Sequence, residues 1–490
     1  MIALSQETSL LLVVATPLIS AILIKATGER PNLREGVTLL TTVILFSLLL
    51  SLAPAIMQGA RPSVQIAEPF PGIPLKFTLE PLGMLFALVA SFLWIITSVY
   101  SIGYMRGHHE QNQTRFYVYF AIAIPITMGI ALSGNLLTLF VFYEALTLFT
   151  YPLVTHTGTP EAMRAGRVYL GILLATSITM LLLAIVWTWS MTGTLDFRPG
   201  GIFSGKTTET GLNILLLLFI FGIGKAALMP FHRWLPTAMV APTPVSALLH
   251  AVAVVKAGVF AIMKISVYIF GLDVLSSLDI TQWLLYAVAM TILIASMVAI
   301  TKDNLKARLA YSTISQLGYV TLGALLATTS GIIGGAMHIA MHAFGKITLF
   351  FCAGAIMVVT HKTEVSQMHG IGRTMPITML AFLIGSLCVI GIPPMGGTWS
   401  KWYLAMGTLE SGQLLLLAVL MISSLLNIVY LLPIPIRAFL NPPGDDNNRK
   451  QIREAPLPCL VAIIIAALGC VVLFVYPEPL YRLVTMIMVY

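Results

Sequence analysis

The sequence predicts an all-α integral membrane protein of about 14 transmembrane helices, two of them broken, arranged around an inverted five-helix repeat. Three observations lead there. First, 58% of the 490 residues are hydrophobic and only 9% charged, with a mean hydropathy of +0.93; no soluble domain has this composition, and apolar stretches of about 20 residues are bilayer spans. Second, the Lys and Arg residues sort to alternate loops. Third, clustered prolines interrupt two apolar stretches, at Pro230, Pro236, Pro242 and Pro244 and again at Pro393 and Pro394, and lysines stand close to both.

Taken in order, the apolar stretches predict spans at 9–25, 37–57, 79–105, 115–132, 135–154, 167–190, 211–229, 243–270, 281–301, 306–328, 331–358, 377–408, 414–436 and 456–477. The first follows MIALSQETS, which has no Lys or Arg, and no small-residue cleavage site comes after it. It is expected to be an uncleaved helix and not a signal peptide. Between these spans, seventeen Lys and Arg fall on the side opposite the N-terminus. Six (Arg61, Lys76, Arg198, Lys206, Lys264 and Arg482) fall on the N-terminal side or near a helix end there. The positive-inside bias then puts both termini outside the cytoplasm, in the inner (cytoplasmic) membrane of the cell. The net charge of +8 is scattered over many short loops, so it follows from that bias and does not suggest a nucleic-acid partner.

Two longer loops, 58–78 and 193–210, are expected on the exported side, the first rich enough in Pro and Gly for a small hairpin. The polar run 441–455, NPPGDDNNRKQIREA, is expected to be a solvated cytoplasmic linker. No phosphate-binding glycine loop occurs, so ATP is not expected to drive the chain directly. The four cysteines, Cys352, Cys388, Cys459 and Cys470, sit in apolar stretches without metal-ligand spacing and are expected to be small buried hydrophobes. No cofactor or metal site is expected.

Non-helical backbone at membrane depth persists only where protein or water satisfies its polar groups. Pro residues lack the N–H of the helical ladder, so GKAALMPFHRWLPTAMVAPTPVSALLHAVAVVKAGVF (224–260) and IPPMGGTWSKWYL (392–404) are expected to line a pathway. Lys225 precedes the first break and Lys401 follows the second. Paired broken helices suggest that 115–270 (spans 4–8) and 281–436 (spans 9–13) are inverted copies, preceded by three helices in 1–114 and followed by a linker and the last helix in 437–490.

Each lysine at membrane depth costs about 2.5–3.5 kcal/mol. Four are embedded, Lys225, Lys256, Lys346 and Lys401, and of 19 acidic residues only Glu144 lies near mid-span. Glu144 shares a helix face with Thr147 and Tyr151. A counter-ion role towards a neighbouring helix is favoured over local satisfaction by a hydroxyl, with Lys225 the preferred partner on chain order. Lys264 lies near a helix end, where snorkelling accounts for it. His338, His342 and Lys346 make one polar stripe at i, i+4 and i+8, and Ser312, Gln316 and Tyr319 make another on the preceding helix. Two histidines on one face cannot hold a haem from both sides, and no third metal ligand is near. A hydrated proton relay is favoured over plain core packing, because imidazole accepts and donates near neutral pH. His250 lies six residues before Lys256, about 120° around the helix, and can serve the same path from another face.

Four blocks in order carry a resemblance: the 224–260 segment, KDNLKARLAYSTISQLGY, HIAMHAFGKITLFFCAG and IPPMGGTWSKWYL. Together they resemble the antiporter-like subunits shared by respiratory complex I, Mrp-type sodium/proton antiporters and membrane-bound hydrogenases, over nearly the whole chain. Within that family the likeness is to the D-type Mrp subunit and its hydrogenase relatives, on Lys256 in HAVAVVKAGVF and on a chain of 14 spans without a long lateral helix. The resemblance implies that Glu144 and Lys225 are the gating pair, Lys256 the central relay, His338 and Lys346 members of a hydrated axis, and Lys401 the terminal proton-exchange residue. Two residues depart from the family pattern. Thr237 stands where Asp is usual, and since Thr can cap a helix this bears on local stability more than on mechanism. Thr398 stands where an aromatic often precedes the Ser-Lys pair, which bears on the surroundings of Lys401.

The expected function is therefore proton translocation in a multisubunit monovalent cation (sodium)/proton antiporter, along an intramembrane Lys/His/Glu axis, with other membrane subunits as partners. The same module in a redox-driven complex or an inorganic-carbon uptake system is the alternative, and a purely structural membrane subunit is a more distant one. An enzyme is not expected, since no nucleophile–base pair is evident.

Overall fold

The computed structural model describes residues 5–203, 208–442 and 451–488. The expected linker at 441–455 lies mostly outside them, as does Lys206. The chain opens with α1 (Gln6–Ala26) and α2 (Pro31–Met57), then a hairpin of β1 (Ser63–Phe70) and β2 (Ile73–Thr78). The two strands pair antiparallel, so the Pro- and Gly-rich loop does form the hairpin that its turn residues suggest. Next come α3 (Pro81–Gly107), α4 (Gln113–Ala131), α5 (Leu136–Val154), α6 (Pro160–Thr176) and α7 (Leu182–Thr192), the last two joined by a π turn at Ser177–Leu181.

The first broken stretch runs from α8 (Glu209–Gly222) through a 3-10 turn at Gly224–Ala226 to the short helices α9 (Trp234–Thr237) and α10 (Thr243–Ala247), and a π turn at Leu248–Val252 leads into α11 (Val254–Ile265). After α12 (Leu272–Ser277) follow α13 (Asp279–Thr301), α14 (Leu305–Leu325) and the 32-residue α15 (Thr329–Thr360). The second broken stretch is α16 (Ile371–Thr374), α17 (Pro376–Ile390) and α18 (Gly397–Glu410). The chain closes with α19 (Leu414–Leu431), α20 (Pro433–Leu440), α21 (Leu457–Val475) and α22 (Glu478–Thr485).

Each expected span falls on one of these helices or on a broken set, which makes the chain an all-α integral membrane protein. Among the described residues, ten helices are long and apolar enough to cross a bilayer alone, and α8 and α17 are shorter apolar helices. The shortfall from fourteen has two causes. The breaks cut α8, α11, α17 and α18 below spanning length, and α14 carries Lys306, Arg308, Ser312, Ser315 and Gln316, which make it too polar to count. Side-chain caps set several starts: Asn135 accepts from the N–H of Thr138 at 2.8 Å at the head of α5, and Asn304 from that of Ala307 at 3.0 Å at the head of α14.

At the centre lies α15, packed against α3, α14, α17, α18 and α21. Beside it, every residue of α11 is buried. Gly258 makes this possible: a Cβ there would lie 2.4 Å from the backbone of Lys225 and Ala226, so only glycine lets α11 close on the first break. Gly397 plays the same part at the second, where a Cβ would lie 1.9 Å from the Cys388 carbonyl oxygen. The outer faces of α1, α2, α19 and α21 expose Ile22, Leu40, Leu425 and Leu468, as lipid-facing helices do.

Candidate functional site

The two breaks and the interior faces of α11, α14 and α15 bring the polar residues into the interior of the bundle. At one end, α8 stops at Gly222 and the turn Gly224–Ala226 carries Lys225 into the interior, fully buried. Its Nζ donates to the Tyr143 carbonyl at 2.8 Å and to Thr147 Oγ1 at 2.6 Å, and it lies 3.2 Å from the centroid of the Tyr143 ring, a cation–π contact. The Lys225 N–H donates to Tyr143 Oη at 3.0 Å, and Trp234 Nε1 ties down the Gly224 carbonyl at 3.0 Å. The lysine is therefore held by α5, but not through the expected acid. No ion pair joins it to Glu144, whose Oε1 is buried without a hydrogen bond. The reason is position on the helix: Tyr143 and Thr147 face the break, and Glu144 is turned aside to a partly open face of α5.

In the middle, Lys256 Nζ lies 2.7 Å from His342 Nδ1, both buried, across the α11–α15 contact. The rings of His342 and His338 stack 5.6 Å apart. His338 Nε2 meets Gln316 Oε1 at 3.1 Å and its Nδ1 meets Ser400 Oγ at 2.8 Å. Since the amide oxygen of Gln316 only accepts, this network assigns the proton to Nε2 of His338. Lys346 Nζ donates to Ser312 Oγ at 2.6 Å and to the Leu309 carbonyl at 3.2 Å. The two polar stripes thus meet through His338, against Gln316 and the Tyr319 ring, and through Lys346, against Ser312, while His342 turns to Lys256. The side chain of His250 lies outside the described residues.

At the far end, Lys401 on α18 is partly buried. Its Nζ donates to the Ile390 carbonyl at 2.8 Å and to Ser424 Oγ at 3.1 Å, and sits 4.8 Å from the centre of the Tyr319 ring. The carbonyl of Ile390, the last residue of α17, is one of those that a helix end leaves without an internal partner, so the break supplies the acceptor. The Thr398 hydroxyl oxygen is buried without a partner. Thr237 does not cap: its hydroxyl donates back to the Arg233 carbonyl at 2.7 Å, because it lies at the end of α9 and not at its start.

Two further groups were not legible as site residues. Asn427 on α19 is fully buried. With its amide turned so that the oxygen faces donors, it accepts from Gln316 Nε2 at 3.1 Å and from Lys401 Nζ at 3.2 Å, and its other end meets Tyr430 Oη at 2.5 Å. Tyr430 Oη in turn donates to Ser312 Oγ at 2.8 Å. Asn427 therefore joins His338, through Gln316, and Lys346, through Tyr430 and Ser312, to Lys401. A lone amide in an apolar span was the available signal. The second group is Lys264. It does not snorkel: it is fully buried, pairs with Glu80 Oε1 at 3.1 Å and donates to the Ser133 carbonyl at 2.7 Å. The loop between α4 and α5 and the head of α3 close over its ammonium.

From Lys256 to Lys401 runs a chain of hydrogen-bonding groups interrupted only at the stacked rings of His342 and His338; its lysines and histidines are groups that take up and release protons, and the amides of Gln316 and Asn427 link them by hydrogen bonds. Among the described residues, no cluster of three or more His, Cys, Asp or Glu has the spacing to hold a metal ion.

Comparison with known proteins agrees with this architecture. Residues 133–427 match the family described as "NADH:quinone oxidoreductase/Mrp antiporter, TM", and residues 71–117 match "NADH-Ubiquinone oxidoreductase (complex I), chain 5 N-terminus". The chain is 33% identical over 467 residues to "NADH-quinone oxidoreductase subunit N" of Desulforudis audaxviator, a match covering 91% of each. It is 30% identical over 343 residues to "NAD(P)H-quinone oxidoreductase chain 5" of a Synechocystis species, covering 67% of this chain and 49% of that one, so it spans about half the length of that relative. In fold it is similar to a chain of the Mrp complex from a Dietzia species, with a TM-score of 0.87 at 23% identity over 99% of this chain and 97% of that one. It is also similar to a chain of an archaeal membrane-bound sulfane sulfur reductase, with a TM-score of 0.85 at 24% identity over 97% and 96%. On the match of more than half its length and the near full-length relative, the chain belongs to the NADH:quinone oxidoreductase/Mrp antiporter transmembrane family, as an antiporter-like membrane subunit.

Proposed function

We propose that this chain translocates protons within a multisubunit monovalent cation (sodium)/proton antiporter of the inner (cytoplasmic) membrane, with both termini on the outer side. One observation carries the reading: the buried, laterally running relay Lys256–His342–His338–Gln316–Asn427–Lys401, whose steps are contacts of 2.7–3.2 Å except the stacked histidine pair. A structural subunit has no use for so many embedded cations, each carrying a cost of about 2.5–3.5 kcal/mol. A relay has, since a lysine removed from water gives up its proton more readily. Glu144 and Lys225 act as the gate. They alternate between a paired state, which holds the proton on Lys225, and a separated one, in which Lys225 rests on Thr147 and its charge is free to repel the proton next along. Glu144 and Lys401, partly open at the two ends of the axis, are where neighbouring membrane subunits meet it. The two broken helices belong to inverted copies, 115–270 and 281–436.

The second reading, the same module serving a redox-driven complex, is favoured by the sequence relatives, which are quinone oxidoreductase subunits by name. The deciding measurement is proton movement in everted vesicles that hold the assembled complex. A pH change triggered by adding sodium and abolished by Lys401→Ala supports the antiporter. A pH change that appears only with an electron donor supports the redox complex. Normal transport by Lys401→Ala, Lys225→Ala and His338→Ala overturns both.

A further inference from the structure

The relay ends in protein at Lys256, yet α11 carries a second buried lysine eight residues on. Lys256 and Lys264 are about 12 Å apart along the helix. Lys264 is wholly enclosed, while its partner Glu80 is not: the Glu80 side chain keeps 12% of its surface open. Glu80 caps α3, accepting from the N–H groups of Leu82 at 2.7 Å and Gly83 at 2.8 Å, and the Tyr268 hydroxyl donates to its Oε2 at 2.9 Å. A cavity of about 250 Å³ opens from this carboxylate to the surface. Its other charged lining groups are Lys76 and Asp196, paired with each other at 2.7 Å, and Arg61 and Arg198. This side of the protein is poor in basic residues, yet four of its six Lys and Arg line this one cavity.

A fastener between α3 and α11 does not need charge, because well-packed apolar residues hold buried elements together as well as an ion pair does. Nor does a cap on α3 need a lysine. What the arrangement adds is a proton-carrying pair at the inner end of a cavity, with the Lys264 side chain fully buried and the Glu80 side chain partly open. Between the two lysines stands Phe260, one turn from each. Its ring lies 5.3 Å from Lys264 Nζ and 4.9 Å from the Phe86 ring.

We propose that Lys264 and Glu80 form a proton port through which the axis at Lys256 exchanges protons with the outer aqueous phase, an assignment that rests on the proton-translocating reading. In the outward step the Lys264 ammonium gives a proton to the Glu80 carboxylate, leaving a neutral amine and a carboxylic acid. The acid releases that proton to water in the cavity, and Lys264 takes a fresh one from the Lys256 side. The inward step is the reverse. Phe260 is the barrier: with its ring against Phe86 the port is closed to the axis, and a turn of the ring admits the water needed to bridge the gap. A permanently open path would short-circuit the membrane, so a gate of this kind is required.

The test uses the assembled complex in vesicles, comparing Lys264→Arg and Lys401→Ala with the unaltered chain. Arginine keeps the pair with Glu80 but does not deprotonate in proteins. The expected result is normal complex abundance with proton transport reduced roughly a hundredfold or more, the size of effect seen when a proton-transfer group is lost. Near-normal transport by Lys264→Arg alongside an inactive Lys401→Ala overturns the port and leaves the relay standing. Normal transport by both overturns the relay and the port together. If Lys264→Arg lowers complex abundance, a second arm decides. Cysteine placed at Arg198, on the rim of the cavity, is labelled with a bulky membrane-impermeant thiol reagent in right-side-out vesicles; the four native cysteines are buried. Labelling that blocks transport supports the port, and transport unchanged by complete labelling overturns it.

Discussion

Lys225 and Glu144 do not touch, because the ammonium of Lys225 rests 2.6 Å from the hydroxyl of Thr147, on the adjacent face of α5. The proposed gate needs two stable positions for its moving charge, and the contacts of Lys225 with Thr147 and the Tyr143 carbonyl are the ones proposed for the separated state. In a separated state the lysine is still satisfied, which a buried charge without partners is not.

Glu144→Gln and Lys225→Ala are each expected to abolish proton transport while leaving the complex assembled. The double substitution is expected to be no worse than either single one, since both remove the same interaction. Everted-vesicle transport and complex abundance check this, and losses that add would show that the two residues act separately. Thr147→Val removes the separated-state acceptor and is expected to shift Lys225 towards Glu144 and slow turnover, with assembly intact.

Lys401→Arg is expected to fail nearly as badly as Lys401→Ala. Arginine has the charge and the reach to hold the Ile390 carbonyl, but it does not deprotonate in proteins. A fixed structural charge would give the opposite pattern, with arginine rescuing transport and alanine lowering the amount of complex.

Asn427→Leu is expected to slow transport by roughly tenfold, in line with the 1–3 kcal/mol cost of leaving buried polar partners unmatched. The loss is expected to be shared: Asn427→Leu combined with Gln316→Leu should be little worse than the more damaging single change. The same vesicle measurement, with complex abundance as control, decides it, and additive losses would remove Asn427 from the relay.

Reporter fusions at residues 70 and 446 are expected to report opposite sides of the membrane, the first outside and the second in the cytoplasm. The expectation rests on the Lys and Arg asymmetry between loops. Two fusions reporting the same side would overturn the orientation and, with it, the outward direction assigned to the cavity at Glu80.

What the sequence made legible depended on how far apart the cooperating residues lie. The spans followed from apolar length, the breaks from Pro393, Pro394 and the prolines of 230–244, and the facing stripes on α14 and α15 from helical period. Each of these is a local pattern. Lys264 was misread because its partner is 184 positions away and Glu80 stands at a helix head, where a carboxylate has an ordinary capping role. Asn427 was missed because its two partners on the axis, Gln316 and Lys401, come from different helices. A pairing of Glu144 with Lys225 is suggested by chain order, but which of two neighbouring faces of α5 meets the break depends on rotation of the helix, and chain order carries no such information.

The complete burial of α11 also constrains how the protein is made. Lys264 finds Ser133 and Glu80 in chain already synthesised, whereas the partner of Lys256, His342, lies 86 residues further on. At ordinary rates of synthesis that gap is roughly 4–17 s. For that interval a lysine sits in a newly inserted helix with neither α14 nor α15 present to enclose it. The nascent chain must shelter this segment at the insertion machinery or in a loosely packed intermediate until α15 arrives. Chains truncated between α11 and α15 would leave Lys256 stranded, and quality-control proteases should remove them faster than chains truncated after α15.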